Sequence, residues 1–169
     1  MKRSLLSVFV VFALVFVACG DDDADDASGA QPGDVTFDVE VIEIKGATDG
    51  IPAPDVDPES LSLGYRFKPP GEYDAENPDK WQVSTYLFAP GAMTVVNGDD
   101  VTLRLFGING DEHVMWVEAP DGTKVTAEVV LNRGREIKMD FTADQLGHYK
   151  LICVTHAPTM QSDILSVSG

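Results

Sequence analysis

Residues 147–160 read GHYKLICVTHAPTM, and this stretch decides both the fold and the chemistry of the chain. Its first half has the composition of a β-strand. Its second half places a thiol, an imidazole and a thioether at the spacing Cys153-x2-His156-x3-Met160. A strand that ends at Cys153 and a short loop after it return His156 and Met160 to one point. Because sulfur together with imidazole is the ligand set that copper favours, the stretch predicts a metal site.

The second histidine of such a site must come from elsewhere in the sheet, and His113 is the candidate. It begins a predicted strand at 113–118, directly after the turn at 109–111. A sandwich can place that strand start beside the loop that follows Cys153. The rival histidine, His148, has the opposite parity to Cys153 on an extended strand, so we predict that it points to the other face. Two histidines and one cysteine with a weak axial methionine form a blue-copper electron-transfer site.

The rest of the folded part has the pattern of many short strands. Apolar and polar residues alternate, or apolar residues dominate, over 35–41, 81–88, 93–96, 101–105, 113–118, 123–131, 135–141, 148–154 and 163–167. Ile42 and Ile44 change the parity of the first strand, which predicts a bulge. Turn sequences separate the strands. The pattern predicts an all-β sandwich or barrel, with Pro-rich surface insertions at 46–62 and 68–80.

Residues 81–169 resemble the cupredoxin family of type 1 blue copper proteins, whose last strands read approximately Gly-x-Tyr-x3-Cys-x2-His with a methionine a few residues on. The residues that stand in this register are Gly147, Tyr149, Cys153, His156 and Met160. The resemblance implies a Greek-key β-sandwich that holds one copper ion through His113, Cys153, His156 and Met160. It also implies an electron carrier rather than an enzyme, with a cytochrome or a terminal oxidase or reductase as redox partner. His156, near the end of the sandwich, is then the expected point of electron entry.

Two features depart from the usual pattern of the family. In most blue copper proteins Asn or Ser follows the first ligand histidine and ties the two ligand loops together, whereas Val114 follows His113 here. The layout is also similar to nitrosocyanin, a red-copper cupredoxin with a carboxylate ligand, and Glu112 is the candidate carboxylate. Gln161 could replace Met160 as the axial donor. An open red-copper site, and an accessory protein that stores copper or delivers it to an oxidase, are therefore alternatives to the carrier.

The first residues form a targeting signal rather than part of the fold. Two positive residues, Lys2 and Arg3, precede an apolar core. The core ends at Ala18-Cys19, a pair that resembles a bacterial lipobox. We predict a signal peptide at 1–18, a lipidated Cys19 with an acidic tether at 19–33, and one domain at 34–169. The expected location is the periplasm or the outer face of the cell membrane. Cys153 is then the only remaining thiol, and a lone exported thiol oxidises unless a group such as a metal holds it.

The charge of the chain limits its partners. The sequence has 28 acidic and 12 basic side chains and a formal net charge of −16. Such a surface argues against nucleic acid and against direct binding to anionic lipid. It favours a basic partner protein or a salty habitat.

Overall fold

The chain folds into two five-stranded sheets that face each other. The computed structural model describes residues 29–55 and 64–169. The strands are β1 Asp34–Thr48, β2 Tyr65–Lys68, β3 Trp81–Ala89, β4 Ala92–Val96, β5 Asp100–Gly107, β6 His113–Glu118, β7 Val129–Leu131, β8 Glu136–Thr142, β9 Gly147–Cys153 and β10 Gln161–Val167. The first sheet has the order β2-β3-β1-β5-β8 and the second β4-β10-β9-β6-β7. The predicted all-β sandwich is confirmed, whereas the predicted signal peptide, Cys19 and most of the tether lie outside the described residues.

The core lies between the sheets and follows the alternation of the sequence. In β5 the side chains of Val101, Leu103 and Leu105 point inward and are at most 1% exposed. In β9 Leu151 and Cys153 point inward from the opposite sheet and are fully buried. Burial of a Leu or Val side chain contributes about 1.5 to 3 kcal/mol. The inward parity of β9 is what delivers the Cys153 thiol to the interior at the end of its strand.

Strand β1 joins the two halves of its sheet. Its first part runs parallel to β5, and its second part, from Glu40 to Thr48, pairs antiparallel with β3 in unbroken register. The bulge predicted at Ile42 and Ile44 is therefore wrong. The pairing of β1 with β5 ends at Val41, and Ile44 beyond it is 50% exposed. The change of parity therefore marks the point where the strand leaves the core, and no extra residue is inserted as in a bulge.

Two predicted boundaries also differ from the structure. The strand predicted at 123–131 is limited to Val129–Leu131. Before it, Lys124 forms a single isolated β-bridge with Glu118, and the Val117 N–H donates to the Thr126 hydroxyl instead of to a backbone carbonyl of a neighbouring strand. Strand β2 lies between the two predicted insertions and adds an edge to the first sheet beside β3. Among the described residues, no helix is long and apolar enough to cross a membrane.

Candidate metal centre

His113 opens β6 with its imidazole inside the sandwich. The ring is fully buried, and its Nε2 donates a hydrogen bond to Asn109 O at 2.9 Å. Since a carbonyl oxygen can only accept, the proton is on Nε2, and Nδ1 is free to bind a metal. Asn109 is itself anchored to β1, because its Oδ1 accepts the Glu43 N–H at 2.8 Å and its N–H donates to Val41 O at 3.3 Å. The imidazole orientation is therefore set by contacts that exist without a metal.

The turn before His113 approaches the imidazole closely. Gly110 has φ +84°, a backbone conformation that favours glycine. A Cβ at this position would collide with His113 Nε2 and would lie 3.0 Å from Tyr86 Cε1. Only a glycine allows the chain to pass over the imidazole in this way.

The other two ligand candidates come from the end of β9 and the turn after it. Cys153 is the last residue of β9, and the 3-10 helix Val154–His156 turns the chain back at once. Cys153 N–H donates to Met160 O at 3.1 Å, and Met160 N–H donates to His156 O at 3.2 Å. These two hydrogen bonds close the loop 153–160 on itself and hold His156 beside the thiol.

The three side chains converge on one point. Cys153 Sγ lies 3.7 Å from His113 Nδ1 and 3.6 Å from His156 Nδ1. All three ligand atoms lie within 4.8 Å of one another, and all three residues are buried. Both imidazoles turn the same kind of nitrogen, Nδ1, towards the sulfur. The cluster has the geometry of a metal centre.

Burial sets the protonation of the cluster. It lowers the pKa of His113, and it lowers the pKa of His156 to about 4, with the neighbouring His113 and the positive charge of Arg66 acting in the same direction. Burial raises the pKa of the Cys153 thiol, against the backbone N–H groups of His156 and Thr155. At neutral pH both imidazoles are thus neutral and ready to act as ligands. Only the thiol has to release a proton when a metal binds.

The structure places the remaining candidates in different surroundings. Met160 is fully buried and its backbone is bonded to both Cys153 and His156. Glu112 and Gln161 are exposed. His148 lies on the outer face of β9, as its parity predicts, where its Nδ1 is 2.8 Å from Asp163 Oδ2.

Three residues around the cluster were not indicated by the sequence. Tyr86, on β3, stacks on His156, and Asn109 orients His113 through a backbone carbonyl, which has no sequence signature. Thr155 accepts the Val114 N–H on its Oγ1 at 3.3 Å. The two ligand loops are therefore tied together by a side chain of the second loop and a backbone group of the first. This arrangement explains how the position after His113 can be a valine.

The donor set fits copper. Two neutral imidazole nitrogens and one thiolate are the three equatorial ligands of a blue-copper site, and a buried thioether stands four residues beyond the second histidine. The two-sheet sandwich and this cluster define a cupredoxin-like protein with a site for one copper ion. The predicted all-β sandwich is confirmed, and the His-Cys-His cluster that the sequence predicts for copper is present.

Comparison with known proteins gives structural neighbours of low identity. No protein-family model matches the chain, and no curated protein matches it. A multicopper oxidase, mgLAC, superposes with a TM-score of 0.49 and 18% identity over 80% of this chain and 39% of that chain. Auracyanin A, a "blue" copper protein from Chloroflexus aurantiacus, superposes with a TM-score of 0.40 and 20% identity over 48% of this chain and 89% of that chain. Auracyanin from Roseiflexus castenholzii superposes with a TM-score of 0.40 and 16% identity over 48% of this chain and 87% of that chain.

This chain thus spans 39% of the length of the multicopper oxidase. At these identities and TM-scores the neighbours do not decide the metal or the activity. The assignment of the site rests on its own donor atoms.

Proposed function

We propose that the protein is a single-copper electron carrier, in which His113, Cys153, His156 and Met160 would hold the ion. The observation that carries the proposal is the convergence of two Nδ1 atoms and one Sγ within 4.8 Å in a buried site. Bound copper supplies one-electron chemistry between Cu(I) and Cu(II).

The residues of the chain contribute rigidity and exclusion of water. Asn109 fixes one imidazole, the bonded loop 153–160 fixes the other, and both rings are neutral without a metal. A site whose ligands are already oriented needs little rearrangement when its charge changes, which favours electron transfer. The exposed position of Glu112 gives a carboxylate-ligated open site no support from the geometry.

Copper titration with optical and electron-spin-resonance detection tests this function. We expect uptake of one copper per chain and an intense visible charge-transfer band that is lost in Cys153→Ala, whereas His148→Gln, on the outer face, keeps the band. A band at shorter wavelength with a different resonance signal would indicate the red-copper alternative. Absence of copper uptake by the unmodified protein would refute every version.

We also propose that the partner is a redox protein with a basic contact surface. The net charge of −16 and the calculated isoelectric point near 4.2 support this choice. Opposite charges steer the encounter of two proteins, and salt screens them. The rate of electron exchange with a basic c-type cytochrome is expected to fall as ionic strength rises. A rate independent of salt would contradict the basic contact surface, and absence of electron exchange would favour the alternative role in copper storage or delivery.

The proposed location is the outer face of the cell membrane, through a lipid on Cys19. The support comes from the sequence alone, namely the apolar core that ends at Ala18-Cys19 and the acidic stretch after it. Mass spectrometry of the mature amino terminus is expected to find a diacylated cysteine. Cys19→Ser is expected to move the protein from the membrane fraction to the soluble fraction, and an unchanged distribution would exclude the anchor.

A further inference from the structure

One face of the His156 imidazole is covered by an aromatic ring from the opposite sheet. The ring centroids of Tyr86 and His156 are 3.9 Å apart, with planes inclined by 30°. The same tyrosine meets His113 edge to face, at 5.2 Å and 68°. One ring therefore contacts both histidines of the cluster. His156 is only 6% exposed, and the expectation that electrons enter at this residue stays a prediction.

We propose that Tyr86 is a positioning residue of the centre, which holds the His156 imidazole in place and closes the copper site to small external ligands. This inference builds on the proposed copper site, but its structural part concerns contacts of the protein itself. An aromatic ring stacked on a ligand imidazole restricts rotation of that imidazole. It also removes the space that water or an anion needs to approach the metal from that side.

The tyrosine is held over the site by neighbours on its own strand. Thr85 Oγ1 lies 2.7 Å from Gly64 O and 3.0 Å from Thr159 Oγ1. The Thr159 hydroxyl in turn donates to His156 O at 3.2 Å. The Thr85 hydroxyl has one proton, and when it donates to Thr159 Oγ1 the hydrogen bonds run from β3 to the loop that carries His156. The cover and the ligand therefore keep their relative position.

The segment that begins β2 adds a second layer. Gly64 has φ +89°, and a Cβ there would collide with Thr159 Oγ1 and would lie 2.7 Å from His156 O. Two residues on, the guanidinium carbon of Arg66 lies 5.9 Å from the centroid of the Tyr86 ring. Tyr86 itself is 6% exposed. The Tyr86 ring thus has the His156 imidazole and the Arg66 guanidinium as neighbours.

Azide binding to the copper-loaded protein tests the closure. We expect no spectral change for the unmodified protein or for Tyr86→Phe, which keeps the ring. Tyr86→Leu is expected to bind azide at least about tenfold more tightly, with new charge-transfer absorption. The matched control is Phe88→Leu, which truncates an aromatic ring that is 2% exposed on the same strand and, among the described residues, makes no ring contact with either histidine. This variant is expected to bind no azide.

Proton NMR of the metal-free protein tests the positioning without copper. We expect cross-relaxation between the ring protons of Tyr86 and His156 in the unmodified protein. The His156 ring signals are expected upfield in this protein and in Tyr86→Phe, and near their free positions in Tyr86→Leu. Absence of the cross-relaxation, or equal azide binding in Tyr86→Leu and Phe88→Leu, would overturn the proposal.

The two experiments separate this proposal from the function. Failure of the unmodified protein to take up copper would refute the carrier, while the NMR result would still decide the role of Tyr86. The cross-relaxation measurement uses only the unmodified protein. It can therefore refute the proposal even if the Tyr86→Leu variant does not fold.

Discussion

The close passage of Gly110 over His113 allows a test of how the turn shapes the metal centre. Gly110 and Gly122 have almost the same φ, +84° and +85°. A Cβ on Gly110 would collide with His113 Nε2, whereas a Cβ on Gly122 would meet no atom within 4 Å. Substitution by alanine at the two positions therefore carries the cost of a positive φ in both cases but differs in the contact with the imidazole.

The magnitude follows from these contacts. The left-handed conformation costs an alanine about 1 to 2 kcal/mol, and Gly122→Ala is expected to lose this amount alone. Gly110→Ala also displaces His113, which costs about 1 kcal/mol for the hydrogen bond to Asn109 O and about 1 to 3 kcal/mol for overpacking. We expect Gly110→Ala to be less stable than Gly122→Ala by about 2 to 4 kcal/mol.

Urea unfolding of the two metal-free variants measures this difference. A copper titration then shows whether the site is affected, since only Gly110→Ala displaces a ligand. We expect weakened copper binding and an altered visible band in that variant, and an unchanged band in Gly122→Ala. Equal losses of stability in the two variants, together with unchanged copper spectra, would refute the claim that Gly110 sets the position of His113.

Three further predictions concern protonation, charge and the tie between the ligand loops. Because burial holds the pKa of His156 at about 4, against 6.5 for an unburied histidine, the unfolded chain takes up a proton first as the pH falls. The free energy of unfolding of the metal-free protein is therefore expected to be highest above pH 6.5, and His156 alone contributes a drop of about 3 kcal/mol towards pH 4 in urea titrations. His148→Gln is expected to keep the slope and His156→Gln to reduce it, with the part due to the lowered pKa of His113 remaining. Arg66→Gln is expected to lower the reduction potential of the copper-loaded protein in voltammetry, because a positive charge above the site favours Cu(I), and an unchanged or raised potential would contradict this. Thr155→Val is expected to cost about 1 kcal/mol in urea unfolding and to shift the visible band, because the Val114 N–H loses its acceptor, whereas Thr155→Ser retains both properties.

The parts of the site that the sequence could predict are those close together along the chain. Cys153 and His156 are separated by two residues, so any turn after the strand brings them together, and the spacing alone indicates a metal site. His113 could be found because the parity of β9 excludes His148, which the structure places beside Asp163 on the outer face. In both cases a local periodicity determined which side of a strand each side chain occupies.

The parts that could not be predicted depend on how the two sheets pack. Tyr86 lies 70 residues before His156, and nothing in the alternation of β3 shows which residue of the opposite sheet its buried face meets. The role of Asn109 belongs to a backbone carbonyl, which every residue has. The bulge predicted at Ile42 and Ile44 failed for a related reason, since the parity of β1 changes where the strand leaves the core.

The metal centre therefore belongs to both sheets rather than to one loop. The ligands His113 and Cys153 come from β6 and β9 of the second sheet, whereas Tyr86 and the backbone of Glu43, which anchors Asn109, come from β3 and β1 of the first. Closure of the sandwich thus orients both imidazoles before any metal arrives. Metal binding then has little ordering entropy to overcome, and its free energy is available to hold the ion. It also means that a change in the packing of the two sheets acts on the copper site, even when no ligand is replaced.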